Sequence, residues 1–258
     1  MIDRAKVTRV FKEYVSDYDI TDDKIRLKVV HTYKVAENSE RIARSLDLNR
    51  EDTDLAWLIG MLHDIGRFEQ LRRFHTFVDA DSIDHAKFGA DLLFEEGLIR
   101  SFLEDESYYD YIETAIRAHN LFVLGEDPDA RRLMFSKIIR DADKIDIFRV
   151  NDEFPKEVVY DTTREELMNS ALTDEVVKAS LNHITVLRSL KKTPADTLVS
   201  HISLVYGIYY RESIVMLREQ GYLGKLMNTR LDNPDTNRKL EEVSREVERY
   251  MDNCQNDL

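Results

Sequence analysis

One cysteine, Cys254, is all that the 258 residues contain. It cannot pair within the chain, so no internal disulfide supports the fold, and a reducing, cytoplasmic setting is expected. Glycine and proline are scarce as well, with 8 and 4 residues. So few turn formers exclude the many tight reversals of a β-sandwich or barrel. No apolar run approaches the roughly 20 residues that cross a bilayer, so no membrane association is expected. The opening "MIDRAKVTRVFKEY" mixes charge with apolar residues at helical spacing and does not resemble a secretory signal. An excess of basic residues is missing too: the net charge is −13. That balance argues against extended nucleic-acid or anionic-membrane surfaces, although a local basic cluster can still hold phosphate.

What the chain has is helix-forming material. It is 43% hydrophobic and 34% charged, rich in Leu, Ala, Glu, Lys and Arg, which predicts an all-α protein. Asp22 or Thr21 can cap a helix over about 24–45, and Thr53 or Asp52 can cap another ending near Asp64. The 3.6-residue periodicity predicts further helices over about 84–96, 105–120, 129–149 and 173–192. In "TPAD", Thr193 is placed as the cap, Pro194 in the first turn and Asp196 at the third position, opening a long helix to about Asn228. Leu240, Val243, Val247 and Tyr250 share a face of one last amphipathic helix. The pattern pauses at "NDEFPKE", so we divide the chain into 1–150 and a C-terminal helical extension, 151–258, expected to pack on the core.

Polar candidates stand out by the faces they occupy. At 100° per residue His31 lies with Val35, Ile42 and Leu46. His63 lies with Leu55, Ile59 and Leu62, and Asp64 follows it in "LIGMLHDIGRFEQ". His85 shares a stripe with Phe88, Gly89 and Leu92, and His119 follows Ile112 and Ile116. Asp143 lies with Phe135, Ile139, Ile147 and Val150, whereas Asp141 points the other way. Four histidines and two aspartates therefore project from apolar faces, where an unpaired carboxylate costs several kcal/mol. A divalent cation compensates directly, because neutral imidazole and carboxylate from several helices can converge on it in a bundle core.

The order His31, His63-Asp64, Asp143 resembles the H…HD…D signature of the HD-domain superfamily of metal-dependent phosphohydrolases. The resemblance spans about residues 24–150 and includes the contexts "HTYKVAENSERIA", "WLIGMLHDIGRFEQ" and "IIRDADKIDIF". It implies an HD-domain helical bundle with added C-terminal helices, and a metal held by His31, His63, Asp64 and Asp143. "DHAKFGADLLFEEG" and "AIRAHN" resemble segments of the binuclear members, which implies a second metal position at His85 and His119 with Asp64 as the bridge. The sequence departs from the cyclic-di-GMP phosphodiesterases of the HD-GYP branch, which carry His-His-Glu where this chain has Asn120.

The expected cofactor is one or two divalent ions drawn from Mn, Fe, Co, Ni, Mg or Zn. Such ions lower the pKa of bound water and neutralise phosphoryl charge, so the expected substrate is a small phosphomonoester or phosphodiester, a nucleotide among the candidates. Asp64, Arg67 and Lys144 form the expected catalytic set, the two cations being placed to pair with phosphate oxygens. Asp84 is expected to orient the neighbouring His85 or to cap its helix. Arg72, Arg73 and His75 are assigned to a solvated loop, His183 and His201 to structure, and the tyrosines of "SLVYGIYYRES" to packing. Two other readings stay open: a di-iron oxygenase, whose inositol-oxygenase-like members share this ligand set, and a non-catalytic nucleotide sensor.

Overall fold

Short polar side chains open the helices where the sequence places them. Asp3 accepts a hydrogen bond from the Lys6 N–H and Asp22 from that of Lys24, which satisfies donors that a helix start leaves unpaired. They begin α1, Arg4–Val15, and α2, Asp23–Ser45. The next helix, α3 (Arg50–Leu62), departs from the expected start: Asn49 is the cap, accepting from Asp52 N–H at 2.9 Å, and Asp52 and Thr53 lie inside the helix. Asn is as good a cap as Asp or Thr and stands earlier in the chain. Then come α4 (Ile65–Phe74), α5 (His85–Phe94), α6 (Ile99–Phe102), α7 (Tyr109–Ala118) and α8 (Ala130–Glu153). The computed structural model describes residues 2–160 and 162–257, and among them there is no strand: the fold is all-α.

The chain forms two compact units, Met1–Asp143 and Lys144–Leu258, dividing within α8 a few residues before the Val150 position suggested by the sequence pattern. In the first unit Leu55, Leu58, Ile59, Met61 and Leu62 of α3, Ile42 of α2, Phe11 of α1 and Phe68 of α4 are all buried, and α3 packs on α2 and α1. Phe11 meets Phe68 edge-on at 5.9 Å, an arrangement that aromatic quadrupoles favour.

Two glycines set how closely these helices approach. A Cβ on Gly60 would lie 2.6 Å from Ala36 Cα, so α3 sits on the backbone of α2. A Cβ on Gly66 would lie 2.7 Å from both Gly89 N and His85 O, so α4 touches the start of α5. Both contacts lie beside histidines of the candidate site, and helix approach and site geometry are thus one problem.

In the second unit, α9 (Lys156–Tyr160), α10 (Arg164–Met168) and α11 (Asp174–Leu181) precede α12, Pro194–Ile202. Thr193 caps α12 in a reciprocal box with Asp196, as expected. The predicted helix over 173–192 stops early, because His183 takes a left-handed φ of 58° just after α11. Nor is 194–228 one helix. It breaks at a short 3₁₀ turn, Ser203–Gly207, resumes as α13 (Arg211–Gln220) and breaks again at Gly221, φ 71°, before α14 (Tyr222–Met227). The run from Val205 to Tyr210 is β-branched and aromatic around Gly207, a weak helix former. Gly221 supplies the left-handed cap that only glycine adopts without cost. The final helix, α15 (Pro234–Asp257), buries Leu240, Val243 and Val247 on one face, as the periodicity predicts; Tyr250 is half-buried.

Candidate metal centre

Each of the six predicted ligands comes from a different helix or helix end, except the adjacent pair His63-Asp64. His31 sits in α2, one turn after Lys28. His63 ends α3, Asp64 occupies the junction to α4, His85 begins α5, His119 follows α7 and Asp143 lies in α8. All are buried except Asp143, whose side chain is 19% exposed.

The structure brings all six together around Asp64. Its Oδ2 lies 3.6 Å from the Nε2 atoms of both His31 and His63. Its Oδ1 lies 3.5 Å from Nε2 of His85 and 3.7 Å from Nε2 of His119. Asp143 Oδ1 closes the first group, 3.1 Å from His31 Nε2 and 3.9 Å from His63 Nε2. Two ligand groups thus share one carboxylate, His31 and His63 on one oxygen and His85 and His119 on the other, and each trio is compact enough to hold an ion.

Backbone acceptors aim the rings. His63 Nδ1 is 2.7 Å from the Gly60 carbonyl, and His119 Nδ1 is 2.7 Å from that of Ile116. With Nδ1 directed to these carbonyls, both rings turn Nε2 inward. His63 Nε2 is then 3.3 Å from His31 Nε2, and His85 Nε2 is 3.0 Å from His119 Nε2. Ring nitrogens facing each other at such separations need a proton or a cation between them, and a divalent cation fits the donor set.

Electrostatics agrees. Burial pushes His63 and His85 down to about 4, leaving both neutral at pH 7. Burial alone would raise Asp64, but Lys28 and then His63 outweigh it and hold the carboxyl well below its usual range. Asp143 is held low in the same way, burial being outweighed by the bond and charge of His31. Asp64 also occupies the capping position of α4 without bonding its first turn, so its oxygens are left for the site.

Two neighbours of the centre escape sequence reasoning. Lys28 Nζ bonds Asp64 Oδ2 at 2.7 Å; it stands three residues before His31, a spacing that could have flagged it. Asp79 Oδ2 lies 2.6 Å from His85 Nδ1, and nothing in the loop "FVDADSID" distinguishes it from its acidic neighbours. Asp84, singled out from sequence, caps α5 through Ala86 and Lys87 N–H and accepts from Asn120 Nδ2 at 2.9 Å. Arg67 turns Nη1 to Gln70, the Phe77 carbonyl and Asp79. Its Nε, buried and without a hydrogen-bond partner among the described residues, faces Asp64 Oδ1 at 3.7 Å. Lys144 is buried in the second unit, its Cε 3.2 Å from where a Cβ would stand on Gly207. His201 Nδ1 bonds Asn151 Oδ1 at 2.8 Å, and His183 Nε2 bonds Glu246.

Residues 29–147 match the family model of the HD domain, and the matched stretch holds all six candidate ligands. This chain therefore carries an HD domain, as the order of its motifs led us to expect. No curated protein and no solved structure shows a significant match to it. Among the described residues no helix is long and apolar enough to cross a membrane.

Proposed function

We propose that this protein is a metal-dependent phosphohydrolase that cleaves a small phosphomonoester or phosphodiester, a nucleotide being one candidate substrate. In this reading His31, His63, Asp64 and Asp143 hold one divalent ion, and Asp64, His85 and His119 hold a second. The observation that carries it is the division of Asp64, with Oδ2 turned to His31 and His63 and Oδ1 to His85 and His119. One carboxylate placed between two pairs of imidazoles suits a pair of ions, and the HD domain suggests a family of metal-dependent hydrolases.

Divalent ions at such a centre supply Lewis acidity, lowering the pKa of water toward neutrality and neutralising charge on a phosphoryl group. The protein's own groups prepare the rest. Lys28 and Arg67 put positive charge beside Asp64, and the free Nε–H of Arg67 is a donor available to a phosphate oxygen. The neutral state of His63 and His85 at pH 7 means that no proton has to leave them before they can ligate.

The test joins elemental analysis of protein purified without chelator to assays against a panel of phosphomonoesters, phosphodiesters and nucleotides. Two ions per chain with phosphate release that is lost on chelation supports the proposal. Absence of bound metal after reconstitution with Mn, Fe, Co, Ni, Mg and Zn would refute it. The same ligands suit a di-iron pair, so oxygen consumption by the ferrous-loaded protein, without phosphate release, would move the assignment to an oxygenase. Tight nucleotide binding without turnover would move it to a sensor.

A further inference from the structure

Asp79 lies in the loop between α4 and α5 and serves two sides at once. Its Oδ1 accepts from Arg67 Nη1 at 2.8 Å and from Gln70 Nε2 at 3.0 Å, while its Oδ2 meets His85 Nδ1 at 2.6 Å. Neither donor on the Oδ1 side can reverse its role. A guanidinium has no acceptor. The Gln70 amide is fixed in orientation, because its nitrogen also reaches the Ile83 carbonyl at 3.0 Å and its oxygen accepts from Arg67 at 2.7 Å. Gln70 is fully buried, so water offers it no alternative partner.

Resting on the metal-centre reading above, we propose that Asp79 is a positioning residue that locks His85 in its Nδ1–H tautomer, and that Arg67 and Gln70 give this lock its direction. A carboxylate can only accept, so His85 must donate from Nδ1 and keep the Nε2 lone pair toward Asp64 and His119. The consequence is specific to one half of the centre. His63 and His119 are fixed by backbone carbonyls that no side-chain change removes, whereas the orientation of His85 depends on one replaceable carboxylate.

Asp79→Asn should therefore do more harm than Asp79→Ala. Arg67 and Gln70 demand the amide oxygen at the Oδ1 position, which turns the NH2 group toward His85. His85 Nδ1 must then accept, its hydrogen moves to Nε2, and that nitrogen no longer has a lone pair for an ion. Alanine imposes no tautomer and leaves the ring free to choose. A role in packing alone gives the opposite order, since alanine leaves the larger gap.

The experiment is ¹⁵N NMR of histidine-labelled full-length protein, metal-free and Zn²⁺-loaded, together with Zn²⁺ titration by calorimetry and circular dichroism to monitor folding. Wild type is expected to show His85 protonated at Nδ1 and Asp79→Asn to show it protonated at Nε2. Affinity for the second Zn²⁺ is expected to fall about 10- to 100-fold in Asp79→Ala and further in Asp79→Asn, with the first ion held as in wild type. Retention of the Nδ1–H tautomer and of wild-type affinity for the second ion in Asp79→Asn would overturn the proposal, as would a greater loss in alanine than in asparagine. If Asp79→Asn does not fold, the wild-type spectrum still decides, because His85 protonated at Nε2 rules the lock out. A wild type that shows the predicted tautomers but takes up no ion would sink the metal-centre reading and leave the lock intact.

Discussion

Substituting alanine for Gly66 tests whether helix approach and site geometry are coupled. The new Cβ would stand 2.7 Å from Gly89 N and from His85 O, both backbone atoms that cannot rotate away. Reaching the 3.4 Å of ordinary contact requires α4 and α5 to part by about 0.7 Å, the difference between those distances. Overpacking of this kind costs about 1–3 kcal/mol, and alanine's advantage over glycine in a helix returns at most about 1 kcal/mol. The net expectation is a loss of about 1–2 kcal/mol. Because the displaced carbonyl belongs to His85, the second ion position should weaken with it while the first holds. Gly89→Ala is the internal control. Its Cβ would meet Gly66 N at 3.1 Å and Ile65 Cγ2 at 3.4 Å, so strain and propensity nearly cancel and stability should stay within about 1 kcal/mol of wild type. Urea denaturation of the metal-free proteins and metal titration of the same samples provide the measurements. Equal stabilities for the two variants, or a Gly66→Ala protein that binds both ions normally, would refute the coupling.

Three further outcomes follow from the same geometry. Asp64→Ala should abolish binding of both ions, since both groups share that carboxylate, while circular dichroism retains its helical signal; full metal occupancy in this variant would overturn the central assignment. Lys28→Met leaves Asp64 without its 2.7 Å partner and should cost the metal-free protein about 1–3 kcal/mol; added metal should recover much of that, and an identical loss with and without metal would count against Asp64 as a ligand. Glu69 is buried, and although burial raises its carboxyl, bonds from Tyr18 and Arg73 hold it below the usual 4.5. A carboxyl depressed in the folded state contributes stability above its unfolded pKa and loses it as pH falls through the folded value. Glu69→Gln should therefore be about 1 kcal/mol less stable than wild type at pH 7, with the gap closing below pH 4.5 in urea titrations; a gap independent of pH would show that the charge is not responsible.

The helical nature of the chain and the inward projection of its site residues were legible in the sequence, because both depend on local rules. Scarce glycine and proline left helices as the only way to pair most backbone groups, and a period of 3.6 placed His31 with Val35 and Ile42 wherever that helix packs. The order of His31, His63-Asp64 and Asp143 marked the HD domain for the same reason, being a property of the chain itself. Gly221 was not read as a stop: the helix expected over 194–228 ran through it, because an isolated glycine in a helical pattern can be tolerated as well as end a helix. The stop at His183 was not legible either, because histidine enters the left-handed region more often than most residues but does so only where its surroundings hold it there.

Tertiary structure alone decided how the candidate ligands divide. That Oδ2 of Asp64 turns to His31 and His63, and Oδ1 to His85 and His119, depends on the close approach of α3 to α2 and of α4 to α5, which Gly60 and Gly66 permit by leaving out a Cβ. Asp79, and not Asp84, reaches His85 because the loop after α4 folds back onto Arg67 and Gln70. Spacing along a helix fixes a direction for every side chain, but a loop carries no period. The partner of a loop carboxylate is therefore settled only when distant segments close around it.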